Sequence, residues 1–199
     1  MLLWINGPFG GGKTAAAVEL QRRVDQSVVC DPEHLGYGLH RMLPPELRTD
    51  FQSFAAWREG VHEVLDLAVR KSAGPVIVPM TVSNPGYFEQ TVGRLRQDGH
   101  DVRHFSLLAD RGTVLRRLRR RTFWLGLRHE RWAVGKLDEC LAQLQDEVFA
   151  EQIYTDEMSV AQVAEAIARS AGLAVRPDSS GTVRTQLRLC RTSLTHIRR

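Results

Sequence analysis

The sequence predicts an α/β fold whose parallel sheet carries a phosphate-binding loop. Short, continuously apolar runs typical of buried parallel strands alternate with segments in which apolar residues recur at helical spacing. Between the first predicted strand, over residues 2–6, and the first predicted helix, over residues 15–25, stands Gly7-Pro8-Phe9-Gly10-Gly11-Gly12-Lys13-Thr14. This stretch fits the pattern G-x-x-x-x-G-K-S/T, and its flanking strand and helix distinguish a P-loop from a chance glycine turn.

The residue types in this loop suit a nucleoside triphosphate with Mg²⁺. Glycines let backbone N–H groups approach an anion closely, because no Cβ obstructs them. The following helix N-terminus adds partial positive charge, Lys13 can reach the β- and γ-phosphates, and Thr14 offers a hydroxyl to Mg²⁺. The residues predicted to hold ATP at this loop are Phe9, Gly10, Gly11, Gly12, Lys13, Thr14 and Ala15.

Length, composition and cysteine usage indicate one cytoplasmic domain with a sizeable core. The chain has 199 residues, of which 43% are hydrophobic and 25% charged, and no apolar run approaches the length of a membrane span. Met1 opens directly into the first strand without the basic region of a signal peptide. The three cysteines, Cys30, Cys140 and Cys190, lack metal-ligand spacing and are expected to be free thiols.

The positive charge of the chain is unevenly placed. Residues 179–199 carry five arginines and no acid, so the net charge of +4 leaves −1 for residues 1–178. Residues 173–181 are interpreted as a linker that ends the domain over residues 1–172. Beyond them, apolar residues recur at helical spacing beside the arginines, which predicts a basic amphipathic helix over 182–199. Packing on the body or on a second subunit and docking to a membrane surface both remain open for it.

A second predicted strand, over residues 27–31, ends in Asp31, after which Pro32 breaks the strand and Glu33 follows. Ligands of open α/β sheets bind beyond the carboxyl ends of the strands, which puts both acids on the same rim as the P-loop. A carboxylate there can accept a proton from a substrate hydroxyl or hold Mg²⁺ through water. Alternatively, Asp31 only caps the following turn or helix.

The middle of the chain is predicted to continue the alternation of helices and strands. Residues 34–50 contain two glycines and two prolines and are expected to be a loop with at most a short helix. A helix over 54–71 carries Trp57 on its apolar face, where it belongs to the core or walls a substrate pocket. The third strand, over 74–80, does not end in an acid, so a Walker B aspartate is missing and Asp31 is left to serve the metal.

The remaining predicted elements are a helix over 87–97, a strand over 102–109, helices from 113 and over 136–148, a strand over 152–155 and a helix to 171. Ser159 and Gln162 fit a capping box at the start of that last helix.

An arginine cluster occupies residues 111–131, with eight arginines and a single acid, Glu130. Three interpretations compete: a solvated basic face, a nucleic-acid surface and a lid over about 111–135 that closes on phosphates. Few aromatic residues are interleaved and no nucleic-acid motif is present, which disfavours the second. The lid is favoured because one lysine and one Mg²⁺ do not neutralise a transferring phosphoryl group, and arginines supply planar donors.

Nearly the whole chain resembles the tunicamycin-resistance ATP-binding proteins of the TmrB type, within the P-loop small-molecule kinases. The stretches that carry the resemblance are residues 3–14, Asp31-Pro32-Glu33, residues 51–53, Trp57-Arg58, residues 78–81, 93–97 and 117–121, Thr155-Asp156 and residues 196–198. The resemblance implies an adenylate-kinase-like three-layer fold with the parallel five-stranded sheet order 2-3-1-4-5, ATP binding and protection against nucleoside antibiotics such as tunicamycin.

The resemblance also implies roles for individual residues. Asp31 would lie beside the acceptor hydroxyl, and Arg117 and Arg121 would contact ATP and act in catalysis with Lys13. The implied substrate contacts are Asp31, Glu33, Trp57, Arg58, Met80 and Thr81, and the implied metal ligands are Thr14 and Asp31. The basic tail would associate peripherally with the inner face of the membrane.

These observations predict an ATP-dependent phosphotransferase that inactivates a nucleoside antibiotic at a sugar hydroxyl. Two alternatives stay open: an ATP-binding protein that sequesters the antibiotic at the membrane without chemistry, and a nucleoside or nucleotide kinase of primary metabolism. Nucleic acid is not an expected partner, and the oligomeric state is not indicated by the sequence.

Overall fold

A five-stranded parallel sheet forms the centre of the computed structural model, which describes residues 1–125 and 134–177, apart from the side chains of 121–125. The strands stand in the order β2-β3-β1-β4-β5, as the resemblance implied. Their bounds are Leu2–Asn6 (β1), Val28–Val29 (β2), Val76–Pro79 (β3), Val102–Leu108 (β4) and Gln152–Tyr154 (β5). In register, Leu2 of the central strand stands between Val76 and Val102.

Helices cover both faces of the sheet. They are α1 (Lys13–Arg23), α2 (Glu33–Met42), α3 (Ala55–Lys71), α4 (Pro85–Phe88), α5 (Arg94–Gln97), α6 (Arg111–Leu125), α7 (Leu137–Gln143) and α8 (Val160–Ser170). A π-helical turn, Glu89–Gly93, joins α4 to α5, so the helix predicted over 87–97 is present with one widened turn. The predicted capping box of Ser159 and Gln162 is confirmed at the start of α8.

Two apolar layers follow from the alternation of side chains along β1. Leu2 and Trp4 point to one face, where they pack with α3 and with the helical segment 85–97. Leu3 and Ile5 point to the other face, where they pack with α1 and α8. All four side chains are fully buried, as expected of a central parallel strand covered on both sides.

Helix α2 corrects the prediction of a loop over 34–50. Ten residues form this helix, although Gly36 and Gly38 were interpreted as breakers. Gly36 is buried where the helix passes Phe51, and a Cβ on it would stand 2.5 Å from that ring. The glycine therefore serves close packing within the helix, while Glu33 in the first turn and Arg41 in the last turn suit the helix dipole.

Helix α7 is shorter than the helix predicted over 136–148. It ends at Gln143, and a 3₁₀ turn, Glu147–Phe149, follows under a cap from Asp146. The turn buries Phe149 completely and leaves Val148 at 41% exposure, although helical spacing had placed Val148 on the apolar face. Tertiary packing of the aromatic ring therefore overrides the helical continuation.

Several predictions lie outside the described residues. These are the middle of the lid, over 126–133, the end of the linker, over 178–181, and the whole basic helix over 182–199. Within the described ranges, none of the helices combines the length and the apolar character that a membrane crossing requires.

The two glycines of α2 allow a matched test of its packing. We expect Gly36→Ala to lower the free energy of unfolding by about 1–3 kcal/mol, because the added Cβ overpacks against Phe51. Gly38 has no heavy atom within 4 Å of its ideal Cβ, so Gly38→Ala should raise stability by about 0.5–1 kcal/mol through helix propensity. Urea denaturation of both variants checks this, and equal effects at the two positions would contradict the packing assigned to Gly36.

Candidate functional site: a phosphate loop at the carboxyl ends of the strands

The P-loop turns tightly at the carboxyl end of β1 and rests on neighbouring elements. Its Gly7 has φ +143°, and a Cβ there would lie 2.6 Å from the carbonyl oxygen of Leu107 in β4. A Cβ on Gly10 would lie 2.8 Å from Leu118 of α6. By contrast, nothing lies within 4 Å of an ideal Cβ on Gly12, so the loop faces open space just before α1.

The N-terminus of α1 presents backbone donors to this space. The N-cap, Gly12, has no side chain that could accept their hydrogen bonds, and the first turn contains no acid. The N–H of Ala16 donates to the carbonyl of Gly12 at 2.9 Å, so the amides of residues 13–15 have no acceptor within the helix. A phosphate group supplies the acceptors that these amides require.

Lys13 is buried beside the loop, at 8% exposure. Its Nζ donates to the carbonyl oxygens of Gly7 and Pro8, at 3.0 Å each, and lies 5.5 Å from the centre of the Phe9 ring. The ammonium is thus held against the loop by neutral acceptors. A phosphate oxygen forms a stronger, charge-assisted bond with an ammonium than a carbonyl does.

Asn6, the last residue of β1, links the P-loop to the loop that follows β3. Its Oδ1 accepts from the N–H of Gly7 at 2.8 Å and from the N–H of Val82 at 2.9 Å. Its Nδ2 donates to the carbonyl of Val82 at 2.8 Å and lies 3.3 Å from Nε2 of His104. Sequence reasoning assigned Asn6 no role; the available signal was a polar residue inside an apolar strand directly before the motif.

His104 completes this buried network. Its Nδ1 lies 2.7 Å from the carbonyl oxygen of Ala150, which can only accept, so Nδ1 carries the proton and Nε2 accepts from Asn6. The ring packs beside Phe88 and Phe149, at 4.7 and 6.2 Å between centres. Burial lowers the pKa of His104 to about 4, and the positive charge of Arg96 acts in the same direction.

The acids after β2 lie on the rim where all the parallel strands end, with β3 between β2 and β1. Oδ1 of Asp31 accepts from the N–H of Glu33 at 2.9 Å, so Asp31 does cap the first turn of α2. Glu33 in turn accepts from the hydroxyl of Tyr37 at 3.1 Å. The roles predicted for Asp31 and Glu33 toward a ligand stay predictions.

Two of the expected substrate contacts are buried. Trp57 is fully shielded, donates from Nε1 to the carbonyl of Pro32 at 3.1 Å and packs 5.5 Å from the ring of Phe51. Met80 is 1% exposed. Both side chains therefore support the rim from below and present no surface to a ligand in this structure.

Gln52 links Thr81 to Arg58 by hydrogen bonds to both residues. No role for Gln52 had been predicted from the sequence. The Thr81 hydroxyl donates to the carbonyl of Gly7 at 2.8 Å, which ties it directly to the P-loop. Gln52 donates from Nε2 to the carbonyl of Thr81 at 3.0 Å, and its own carbonyl accepts from Arg58. The Arg58 guanidinium also lies 4.6 Å from the centre of the Tyr87 ring.

On the lid side, Arg117 is half-buried at the carboxyl end of β5. Its guanidinium donates to the hydroxyl and carbonyl oxygens of Thr155, at 3.0 and 2.7 Å. Burial lowers the pKa of Arg117, whereas the nearby charge of Asp156 acts in the opposite direction. The side chain of Arg121 lies outside the described residues, so contact of either arginine with ATP stays a prediction.

The donor set at the rim fits a magnesium nucleotide. It offers the hydroxyl of Thr14 and the carboxylate of Asp31, which are hard oxygen donors. Among the described residues, no group of three or more His, Cys, Asp or Glu side chains is placed to hold a metal. Mg²⁺ is commonly held by one or two protein oxygens together with waters and substrate phosphates, which this set can provide.

Comparison with solved structures identifies similar folds. The chain is similar to the tunicamycin resistance protein of Deinococcus radiodurans, with 34% identity and a TM-score of 0.74 over 88% of this chain and 98% of that one. A sugar kinase from Janibacter sp. shares 16% identity with a TM-score of 0.60, covering 87% of this chain and 95% of that one. APS kinase from Mycobacterium tuberculosis, solved with AMPPNP and APS, shares 15% identity with a TM-score of 0.56, covering 86% and 96%.

The sheet order and the loop place this molecule in the P-loop kinase fold class, which those kinases share. Within that class, the chain belongs to the family of tunicamycin resistance proteins, as its identity to the Deinococcus protein over nearly the whole of that chain shows. No family model and no curated protein matches the chain.

The buried imidazole predicts a defined acid sensitivity. Because folding lowers the pKa of His104 from 6.5 to about 4, the unfolded state binds more protons between these values. The free energy of unfolding therefore decreases as the pH falls below about 6.5, and the decrease reaches about 2 kcal/mol near pH 5. We expect His104→Gln to remove this component, so that its free energy of unfolding changes less than that of the wild type between about pH 7 and pH 5. Parallel pH dependences in urea denaturation would contradict the shifted pKa.

Proposed function

We propose that this protein transfers the γ-phosphoryl group of ATP to a sugar hydroxyl of a nucleoside antibiotic of the tunicamycin or muraymycin kind. The proposal rests on the sheet topology, in which the phosphate loop with its buried Lys13 follows β1 and Asp31 follows β2, at the edge where the parallel strands end. Family membership supports it, because the Deinococcus relative is named for tunicamycin resistance. An enzyme of this fold would confer resistance by modifying the antibiotic chemically.

The P-loop would bind the donor. ATP, when bound, supplies the phosphoryl group and, with Mg²⁺, the electrophilic phosphorus. The amides of residues 13–15 would donate to phosphate oxygens, and Lys13 would donate to these oxygens in place of the carbonyls of Gly7 and Pro8. The Thr14 hydroxyl and the Asp31 carboxylate would hold the metal, which would help to neutralise the phosphate charge.

Asp31 would also orient the acceptor. Its bond to the N–H of Glu33 holds the carboxylate at the start of α2, which restricts its rotation. A carboxylate held in this way can align an incoming hydroxyl and take its proton as transfer proceeds. Positioning and charge neutralisation account for most catalysis of phosphoryl transfer, so a rigid rim suits this reaction.

The lid arginines would complete the charge balance. Arg117 donates to neutral oxygens of Thr155, and a triphosphate offers its guanidinium a stronger bidentate partner. Arg121 would follow one turn later on the same helix, α6.

The proposed location of the protein is the cytoplasm, with residues 182–199 attached peripherally to the inner face of the membrane.

The capping bond of Asp31 favours a second candidate function. A carboxylate that serves a helix cap need not take part in chemistry, and the site would then bind ATP and sequester the antibiotic without modifying it. Both functions require Lys13, but only phosphoryl transfer requires the carboxylate of Asp31. A kinase of primary metabolism is the further alternative, and ordinary nucleosides as acceptors would identify it.

Mass spectrometry tests the transfer directly. We expect incubation with ATP, Mg²⁺ and a tunicamycin- or muraymycin-class nucleoside to add one phosphate group to the antibiotic. Uridine and thymidine serve as control acceptors and should remain unmodified. Absence of a product with every antibiotic of these classes, or preferential turnover of the ordinary nucleosides, would reject the proposed substrate.

Substitutions at the rim separate chemistry from sequestration. We expect Asp31→Asn to lower kcat by about 10²–10⁴-fold with nucleotide affinity retained, and Lys13→Ala to abolish nucleotide binding. Asp101→Asn, at the exposed amino end of β4, is the matched control and should behave as the wild type. Measurement of antibiotic resistance in cells then distinguishes the functions, because sequestration survives Asp31→Asn and phosphoryl transfer does not.

A further inference from the structure

We propose that Asn6 is a positioning residue, whose buried side-chain amide sets the P-loop and the loop after β3 at one fixed separation, with His104 supporting the orientation of that amide. The inference rests on the proposed phosphoryl transfer for its catalytic consequence. Its structural part, a rigid link between the two loops, stands on the geometry alone.

The hydrogen bonds of Asn6 allow only one orientation. Oδ1 accepts from two backbone N–H groups, those of Gly7 and Val82, while Nδ2 faces the carbonyl of Val82 and Nε2 of His104. An inverted amide would set its own N–H donors against two backbone donors and its oxygen against two acceptors. Because Asn6 is fully buried, no water would relieve that mismatch.

Each of the two loops joined by Asn6 serves one partner of the proposed reaction. Gly7 begins the cradle for the donor phosphates, whereas Thr81 and Val82 begin the loop on the acceptor side of the rim. A second tie runs in parallel, from the Thr81 hydroxyl to the carbonyl of Gly7 at 2.8 Å. Asn6 itself is 0% exposed, so it touches neither ligand and acts through the loops.

The chemistry of the position is specific to asparagine. It requires two acceptor lone pairs and two N–H donors in one short planar group, which only the asparagine amide provides at this side-chain length. Aspartate keeps the acceptors and loses both donors, and leucine keeps the approximate volume and loses all four bonds. These two substitutions therefore remove the link in steps.

Steady-state kinetics and calorimetry separate positioning from folding. A misplacement of about 1 Å costs phosphoryl transfer on the order of 10²-fold, so we expect Asn6→Leu to lower kcat by about that factor. The dissociation constant of Mg-ATP should stay within about threefold of the wild type, since the loop amides and Lys13 remain. An unchanged kcat, or a loss confined to nucleotide affinity or to melting temperature, overturns the inference.

The pH dependence of Asn6→Asp reports on His104. A carboxylate facing Nε2 favours the imidazolium, which can donate the bond that the lost amide donated. The other groups around the ring are Arg96, whose charge opposes protonation, the carbonyl of Ala150 and two phenylalanine rings. The kcat of the variant relative to the wild type should therefore rise as the pH falls from about 9 to about 6. A low but constant ratio overturns the role given to His104.

Hydrogen exchange keeps the inference testable if the wild type transfers no phosphate. The absence of phosphate transfer would reject the proposed function, but the coupling between the two loops could still be measured by amide exchange. Mg-ATP should then slow amide exchange in residues 7–14 and 80–84 of the wild type, but only in 7–14 of Asn6→Leu. Equal slowing of both segments in the two proteins overturns the inference, whatever the activity.

Discussion

The turn after β1 depends on two residues: Gly7, which has no side chain, and Asn6 before it, whose side chain makes specific hydrogen bonds. Gly7 passes so near the Leu107 carbonyl that any Cβ would overlap with it. Asn6 supplies the bonds that hold this turn to the loop after β3 and to His104. The backbone N–H groups of Gly7 and Val82 both find their acceptor in Asn6, and leaving a buried polar group without a partner costs about 1–3 kcal/mol.

Hydrogen bonds within the protein hold two cations of the rim. Lys13 donates to two carbonyls of its own loop, and Arg117 donates to the two oxygens of Thr155. These hydrogen bonds to oxygens of the protein hold both side chains in position at the rim. In the proposed function this arrangement would lower the entropy cost of binding a triphosphate, because the two side chains are already confined.

Much of the fold and part of the site could be predicted from local patterns. Short, mostly apolar runs between helical segments identified all five strands, and the P-loop was recognised from its letters and context. Three features were not predictable in this way. Gly36 lies inside a helix because Phe51 packs on it, and Phe149 is buried in a turn that follows a helix. Gln52 bonds to Thr81, 29 positions away, and also to Arg58. Each depends on a neighbour that is distant in sequence.

The amino-acid sequence by itself determined the class of fold, the phosphate loop and the acids on its rim, because periodicity, glycine conformation and charge act over a few neighbouring residues. The tertiary structure alone decided that Asn6 and His104 support the loop, that Trp57 and Met80 lie beneath the rim, and that Asp31 caps α2. Hydrogen bonds between strands and the exposure of a side chain depend on which segments become neighbours, and only the folded chain brings those segments together.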